Sequence, residues 1–277
     1  MPTLHAPDGV ALHVREWETS GHPRGTAVLV HGLGEHIGRY GHVAEALAAA
    51  GWRVVGHDHR GHGQSGGPRA GLAHPDDLLR DLAQVIDHAR AEGALVLLGH
   101  SLGGALAGRF VAEGLDASPA AWHRPVDALV MTSPALDLGM NPAQKALLAV
   151  LAPVAPNLAV PNGLDAVWIC RDPAVVEAYE ADPLVHDRIT ARLIRFLVDA
   201  GTLVRERSSS WTVPTLLLWA GSDRIVAPGG SAAFAAAAPT GVVRSHEYRD
   251  CFHEILNEPE QAEVLDEIRR WLADLHL

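Results

Sequence analysis

Apolar residues in this chain gather into short unbroken runs, each followed by small or polar residues and then by a stretch of helical spacing. Thr26–Val30 and Ala94–Leu98 are continuous rather than alternating, the pattern of strands buried on both faces of a sheet. Val10–Trp17 alternates enough to be an early strand at the edge of that sheet. Arg53–Gly56, Ala128–Met131, Thr215–Trp219 and Val242–Tyr248 complete the predicted strands. Tyr40–Ala50, Pro75–Arg90, Leu102–Glu113 and Glu260–Leu275 carry helical spacing, the first stopping at Gly51. Strands that alternate with helices predict an α/β fold, with a mostly parallel sheet covered on both faces.

The alternation stops between Asp137 and Ser210. That stretch is helical or loop-like and is broken by Pro142, Pro153, Pro156, Pro161, Pro173 and Pro183, with no convincing strand pattern. It reads as an insertion over the sheet's C-terminal edge, where open α/β folds bind ligands. The chain is thereby divided into a core, 1–136 and 211–277, and a helical cap, 137–210. The apolar Ala146–Leu151 segment, with Trp168 nearby, points to a lid over an apolar pocket. Leu147, Leu151 and Trp168 are its candidate lining residues; the alternative is a helical excursion with no gating role.

Composition narrows the classes. A chain of 277 residues that is 48% hydrophobic has enough apolar material for a sizeable core, and with 5% aromatic content that core must be built from Ala, Leu and Val. The net charge of −11, with Lys145 the sole lysine, leaves no electrostatic footprint for nucleic acid. The histidines lack the spacing of a metal-binding tract, so no metal is expected. Cys170 and Cys251 do not make a disulfide framework. No apolar run reaches the ~18 residues of a membrane span. Met1–His5 has neither a basic nor an apolar leader region, so a soluble cytoplasmic protein is expected.

Chemistry first shows in Gly99-His100-Ser101-Leu102-Gly103. The pentapeptide lies between an apolar strand and a helix rich in small residues, so Ser101 falls at the tip of a sharp strand-to-helix turn. Such a turn strains the backbone at the serine and needs tiny neighbours, which the two glycines supply. A serine hydroxyl also needs a base within hydrogen-bond reach, itself held by a carboxylate. In this version of the chemistry the chain order is Ser, Asp or Glu, then His. Asp223 follows the strand Thr215–Trp219, and His253 follows the strand ending near Tyr248. Each has a plainer reading alone: Asp223 as a turn former or surface ion pair, His253 as a structural histidine. Their joint occurrence in the required order, each after its own strand, favours catalysis. Asp250 is too close to His253 in sequence to orient it. Acyl transfer also needs two amides aimed at the developing oxyanion. The amide of Leu102 supplies one, and His31-Gly32-Leu33-Gly34, after Thr26–Val30, makes Leu33 the candidate for the other.

These residues resemble the monoacylglycerol lipase and lysophospholipase-like, or serine aminopeptidase-like, branch of the α/β-hydrolases. The likeness runs through His31–His36 with Arg39-Tyr40, Gly56–Ser65, Gly99–Gly104, Arg171-Asp172-Pro173, Asp182–Val185, Gly221–Asp223 and Phe252–Glu254. It implies an eight-stranded sheet, a helical cap and hydrolysis of acyl esters of glycerol or related lipids, with Leu33 and Leu102 as oxyanion amides. It further suggests Glu35 and Arg39 on the glycerol side of the pocket, or alternatively as a structural ion pair. The Gly56–Ser65 string is expected to hold loops in place near the site. Cys170 departs from the serine that relatives often carry before Arg171, and the cap between Gly139 and Asp165 has no strong match.

The mechanism expected is attack by Ser101 on the carbonyl of a monoacylglycerol or lysophospholipid-type acyl ester, with His253 as base and Asp223 orienting it, and no cofactor. The partner is a small-molecule acyl ester, with transient contact to lipid surfaces through the cap; the oligomeric state is open. The same residues also suit a broad carboxylesterase, a polyester hydrolase or an acyltransferase. A ligand-binding protein on the same fold is the non-enzyme alternative. Haloalkane dehalogenase chemistry is disfavoured, because it needs an aspartate where Ser101 stands.

Overall fold

The structure, a computed structural model, describes residues 3–275. Met1 and Pro2, on which the N-terminal reading partly rests, and the last two positions of the core span lie outside the described residues. The expected sheet has eight strands. In chain order they are β1 (Thr3–His5), β2 (Ala11–Trp17), β3 (Gly25–Val30), β4 (Arg53–His57), β5 (Ala94–His100), β6 (Ala128–Thr132), then β9 (Thr215–Ala220) and β10 (Val243–Tyr248). They lie side by side as β1-β2-β4-β3-β5-β6-β9-β10. β1 and β2 run antiparallel to their neighbours and the rest are parallel. Every residue of β3, β5, β6 and β9 is buried, as unbroken apolar runs require.

The alternating strand expected at the edge is second from it. β1 pairs with β2 from Thr3↔His13 to His5↔Ala11. Three residues with mixed burial carry too little periodicity to be legible.

Helices cover both faces. On one side α2 (Asp77–Ala89), α3 (Leu102–Glu113), α6 (Ala191–Glu206) and α7 (Pro228–Ala237) pack over the sheet, with Ile86, Phe110, Val204 and Phe234 fully buried. On the other, α1 (Gly41–Ala49) and α8 (Gln261–Asp274) enclose Leu47, Trp52, Ile268 and Leu272.

The stretch 137–210 is not uniform. α4 (Pro142–Val154) begins at a capping box between Asn141 and Gln144, and α5 (Pro173–Ala181) follows. α6 buries Leu193, Leu197, Ala200 and Val204 with the helices of the core. Contrary to the expectation of no strand here, β7 (Val160–Pro161) and β8 (Arg188–Ile189) form a two-stranded antiparallel ribbon. Two-residue strands leave no periodic trace, and Pro161 reads locally as a breaker. Among the described residues no helix is long and apolar enough to cross a membrane.

Candidate active site

Ser101 stands between β5 and α3 with φ 54° and ψ −116°, a conformation costly for a side-chain-bearing residue. The turn closes only because its flanks are glycine. A Cβ at Gly99 would lie 2.3 Å from the Gly103 carbonyl oxygen, and one at Gly103 only 2.0 Å from that of Val30. The Ser101 amide donates to Thr132 O at 3.0 Å, tying the strained residue to β6.

Two loops at the same sheet edge bring the expected partners to it. His253 Nε2 lies 2.8 Å from Ser101 Oγ, and His253 Nδ1 lies 2.6 Å from Asp223 Oδ2. The carboxylate only accepts, so Nδ1 carries the proton toward it and Nε2 is left to accept from the hydroxyl. Asp223 Oδ1 accepts the amides of Ile225 at 2.8 Å and Val226 at 3.0 Å, which fixes the carboxylate after β9. Asp250 makes no contact with the imidazole and is exposed.

Burial by itself would lower the His253 pKa, but the charge of Asp223 and its hydrogen bond outweigh that, and the pKa is raised above the ordinary histidine value. Burial pushes Asp223 up while His253 and the two amides pull it down, with a net lowering. His100, packed 4.8 Å from the His253 ring, is driven down to about 3, first by burial and then by that neighbour, and stays neutral.

The amides of Leu33 and Leu102 have no hydrogen-bond acceptor among the described residues, and both residues line the cavity in front of Ser101. Leu102 opens α3, where amides lack intrahelical partners and the helix dipole favours negative charge. The loop carrying Leu33 is held from beneath. Glu35, 3% exposed, accepts the Gly32 amide at 2.6 Å, the Tyr40 hydroxyl at 2.6 Å and Arg39 at 2.5 Å.

Arg39 does not line the main cavity. Its guanidinium is taken up by Glu35 and, through two bonds of 2.7 Å, by Glu254, the residue after His253. Of the two sequence readings for Glu35 and Arg39, the ion pair is the one formed, although Glu35 also reaches the cavity wall. Sequence reasoning gave Glu254 no role, since nothing local signals a partner 215 positions away.

The cavity has a volume of about 830 Å³. Leu147 and Leu151 line it, as expected for α4, together with Leu148, Leu158, Ile194 and Leu197. Trp168 does not; it ends a short helical turn whose Ala166 reaches the wall instead, as does Ile169 beyond it. The cap also meets the Leu33 loop directly. The His186 amide donates to Gly34 O at 2.8 Å, His36 pairs with Asp182 at 2.8 Å, and Arg39 stacks 4.7 Å over Tyr179 of α5.

The Gly56–Ser65 string fastens loops. Asp58 accepts the amides of Ile37 and Gln64, each at 2.8 Å, and the His59 amide donates to His31 Nε2 at 2.9 Å. Arg60 binds Asp8, Asp77 and Asp81. Cys251, Glu258 and Glu260 lie close enough to hold an ion. Arg171 pairs with both carboxylates, however, and supplies the positive charge there.

A family model described as "Serine aminopeptidase, S33" matches residues 21–260. A monoacylglycerol lipase from Mycolicibacterium smegmatis is 36% identical over 96% of this chain and 94% of its own. The human monoglyceride lipase is 32% identical over 99% and 90%. Among solved structures, the monoacylglycerol lipase of Paleococcus ferrophilus superposes with a TM-score of 0.84 at 33% identity, covering 94% of this chain and 98% of that one.

Proposed function

We propose that this chain, which belongs to the serine aminopeptidase S33 family of α/β-hydrolases and is a carboxylic ester hydrolase, cleaves monoacylglycerol-type esters through Ser101, His253 and Asp223. The observation that carries this reading is the hydrogen-bonded series Ser101–His253–Asp223, 2.8 and 2.6 Å long, opening onto a cavity walled by leucines. The relatives named above as monoacylglycerol lipases support the substrate class.

In this mechanism Ser101 Oγ attacks the ester carbonyl as its proton passes to His253 Nε2. The amides of Leu33 and Leu102 receive the oxyanion, and Asp223 stabilises the imidazolium. The C–O bond to the alcohol breaks and His253 protonates the leaving oxygen, giving free glycerol and an acyl-serine. Water, deprotonated by His253, then attacks the acyl-serine carbonyl, and collapse returns Ser101 and a fatty acid. The acyl chain runs along Leu147, Leu148 and Leu151 of α4. The cap is assigned to 137–210; α6 within it packs on the core and also supplies Ile194 and Leu197 to the cavity wall.

The outer side of α4 leaves Val150 61% and Val154 78% exposed. This face is proposed to rest transiently on lipid surfaces.

Fluorophosphonate labelling together with turnover of a monoacylglycerol panel tests the reading. Wild type should label and turn over long-chain monoacylglycerols, and Ser101→Ala should lose labelling and at least about 10⁴-fold in rate. Wild-type protein that neither labels nor cleaves any ester rules the reading out, and an active Ser101→Ala rules out the nucleophile.

A further inference from the structure

Six acidic residues line the cavity in front of Ser101: Glu35, Asp165, Glu180, Asp182, Asp187 and Glu254. Among the described residues no lysine or arginine reaches it. The imbalance has a location. Tyr179–Asp187 is the part of the cap that leans on the oxyanion loop, with the His186 amide on Gly34 O. A Cβ at Gly34 would lie only 2.4 Å from the His186 carbonyl oxygen. The polar wall therefore stands beside the proposed reacting carbonyl, where the alcohol half of an ester must lie. The leucines of α4 and α6 line the rest.

Nearby cations are already committed. Arg39 serves Glu35 and Glu254 together, leaving that trio one negative charge in excess. Arg188 pairs with Asp187 at 3.1 Å, and Arg69, which donates to Gly63 O, lies near His186 but does not reach the wall. Asp182 has only His36, and Asp165 and Glu180 have no ion-pair partner among the described residues. An anionic group placed here would lie beside these acidic residues with no cationic side chain on the wall to receive it.

We propose that this carboxylate wall selects the substrate's head group: esters of neutral or cationic alcohols are accepted, and esters whose alcohol carries a phosphate are rejected. The phosphate of a lysophosphatidic acid is joined to the same glycerol as its ester, so it cannot leave the wall while the carbonyl sits at Ser101. A choline ester puts a cation in the same place, where the wall attracts it. Selection arises from an unfavourable element built against one class of ligand rather than from an extra contact to the other. The inference rests on the monoacylglycerol reading above.

The test compares kcat/KM for three oleoyl esters, monooleoylglycerol, oleoyl lysophosphatidic acid and oleoylcholine, each diluted in neutral detergent micelles. Roughly 0.15 M salt screens the protein's overall charge beyond ~8 Å. Lysophosphatidic acid should be cleaved at least about 10²-fold less well than monooleoylglycerol, since like charges brought together in an enclosed site weaken binding on this scale. Oleoylcholine should fall within about tenfold of monooleoylglycerol. Glu180→Lys, and Glu180→Gln combined with Asp187→Asn, should raise the ratio of lysophosphatidic acid to monooleoylglycerol turnover. A ratio within tenfold of unity in wild type, or one unmoved in both variants, overturns the inference and leaves the esterase reading standing. Failure to cleave monooleoylglycerol overturns the reading beneath it.

Discussion

Arg39 grips Glu254 through two hydrogen bonds of 2.7 Å while the same guanidinium holds Glu35. One side chain thus joins the loop of the proposed oxyanion amide, through Glu35 and the Gly32 amide, to the residue that follows the proposed base. Arg39→Ala would leave two buried carboxylates facing each other, a loss of about 3–5 kcal/mol in stability. In protein that still folds, kcat should fall more than KM rises, because the loss is of alignment rather than of acyl-chain contacts. Arg39→Lys should recover little, since an ammonium cannot reproduce the fork. Steady-state kinetics and urea unfolding of the two variants check this, and an Arg39→Ala enzyme with wild-type kcat contradicts it.

With His253 as the proposed base, its raised pKa should set the acid limb of activity. The base must be neutral, so kcat/KM should drop as pH falls through a value above the usual ~6.5 of a histidine. Asp223→Asn removes the charge that holds the pKa up and leaves burial, which lowers it. The residual activity, reduced by about 10⁴-fold, should therefore have its midpoint at lower pH than wild type. An acid limb that stays in place in the variant would assign it to another group.

Much of this site was legible because its chemistry is local. Ser101, Asp223 and His253 each follow an apolar strand, and the glycines flanking Ser101 announce a close backbone approach that the structure contains. What escaped was long-range or short. Glu254 acquires its partner only when β10 is laid beside β9, far from the loop that carries Arg39. β1, β7 and β8 are three residues or fewer, below the length at which periodicity separates strand from loop. Trp168 was assigned to the pocket on apolarity and proximity alone, which cannot tell which side of a helical turn faces the cavity.

The buried histidines should make the fold acid-labile. Burial lowers His57 to about 4 and His59 and His100 to about 3, and it holds His31 and His62 well below the ordinary value, in each case as the leading cause. An unfolded chain takes up these protons near pH ~6.5 and the native one cannot, so stability is lost as pH falls from there toward about 4. Five such groups remove up to about 7 kcal/mol per pH unit inside that window, against a typical total of about 5–15 kcal/mol. His253, with its pKa shifted the other way, acts above that window, adding stability as pH falls through its raised pKa toward ~6.5. Neither ring nitrogen of His57 has a partner among the described residues. His57→Leu should accordingly flatten the slope by about a fifth without a matching loss at neutral pH. Urea unfolding between pH 8 and 5 measures both slopes, and a flat wild-type profile contradicts the argument.

α4 has cavity-lining and exposed apolar residues that can be tested apart. Leu147, Leu148, Leu151 and Ala155 line the cavity, whereas Val150 and Val154 do not and are well exposed. Replacing the two valines with serine removes exposed apolar area and no cavity-lining side chain. If those valines rest on lipid, the double variant should cleave a soluble short-chain ester at the wild-type rate. On emulsified long-chain monoacylglycerol it should lose about tenfold in kcat/KM, and it should float less with vesicles of neutral lipid. Leu148→Ser, at a residue 8% exposed and lining the cavity, should instead weaken turnover of long-chain substrate in both emulsified and detergent-dispersed form. Equal losses of the valine variant on soluble and emulsified substrates would mean that Val150 and Val154 support the helix rather than a lipid contact.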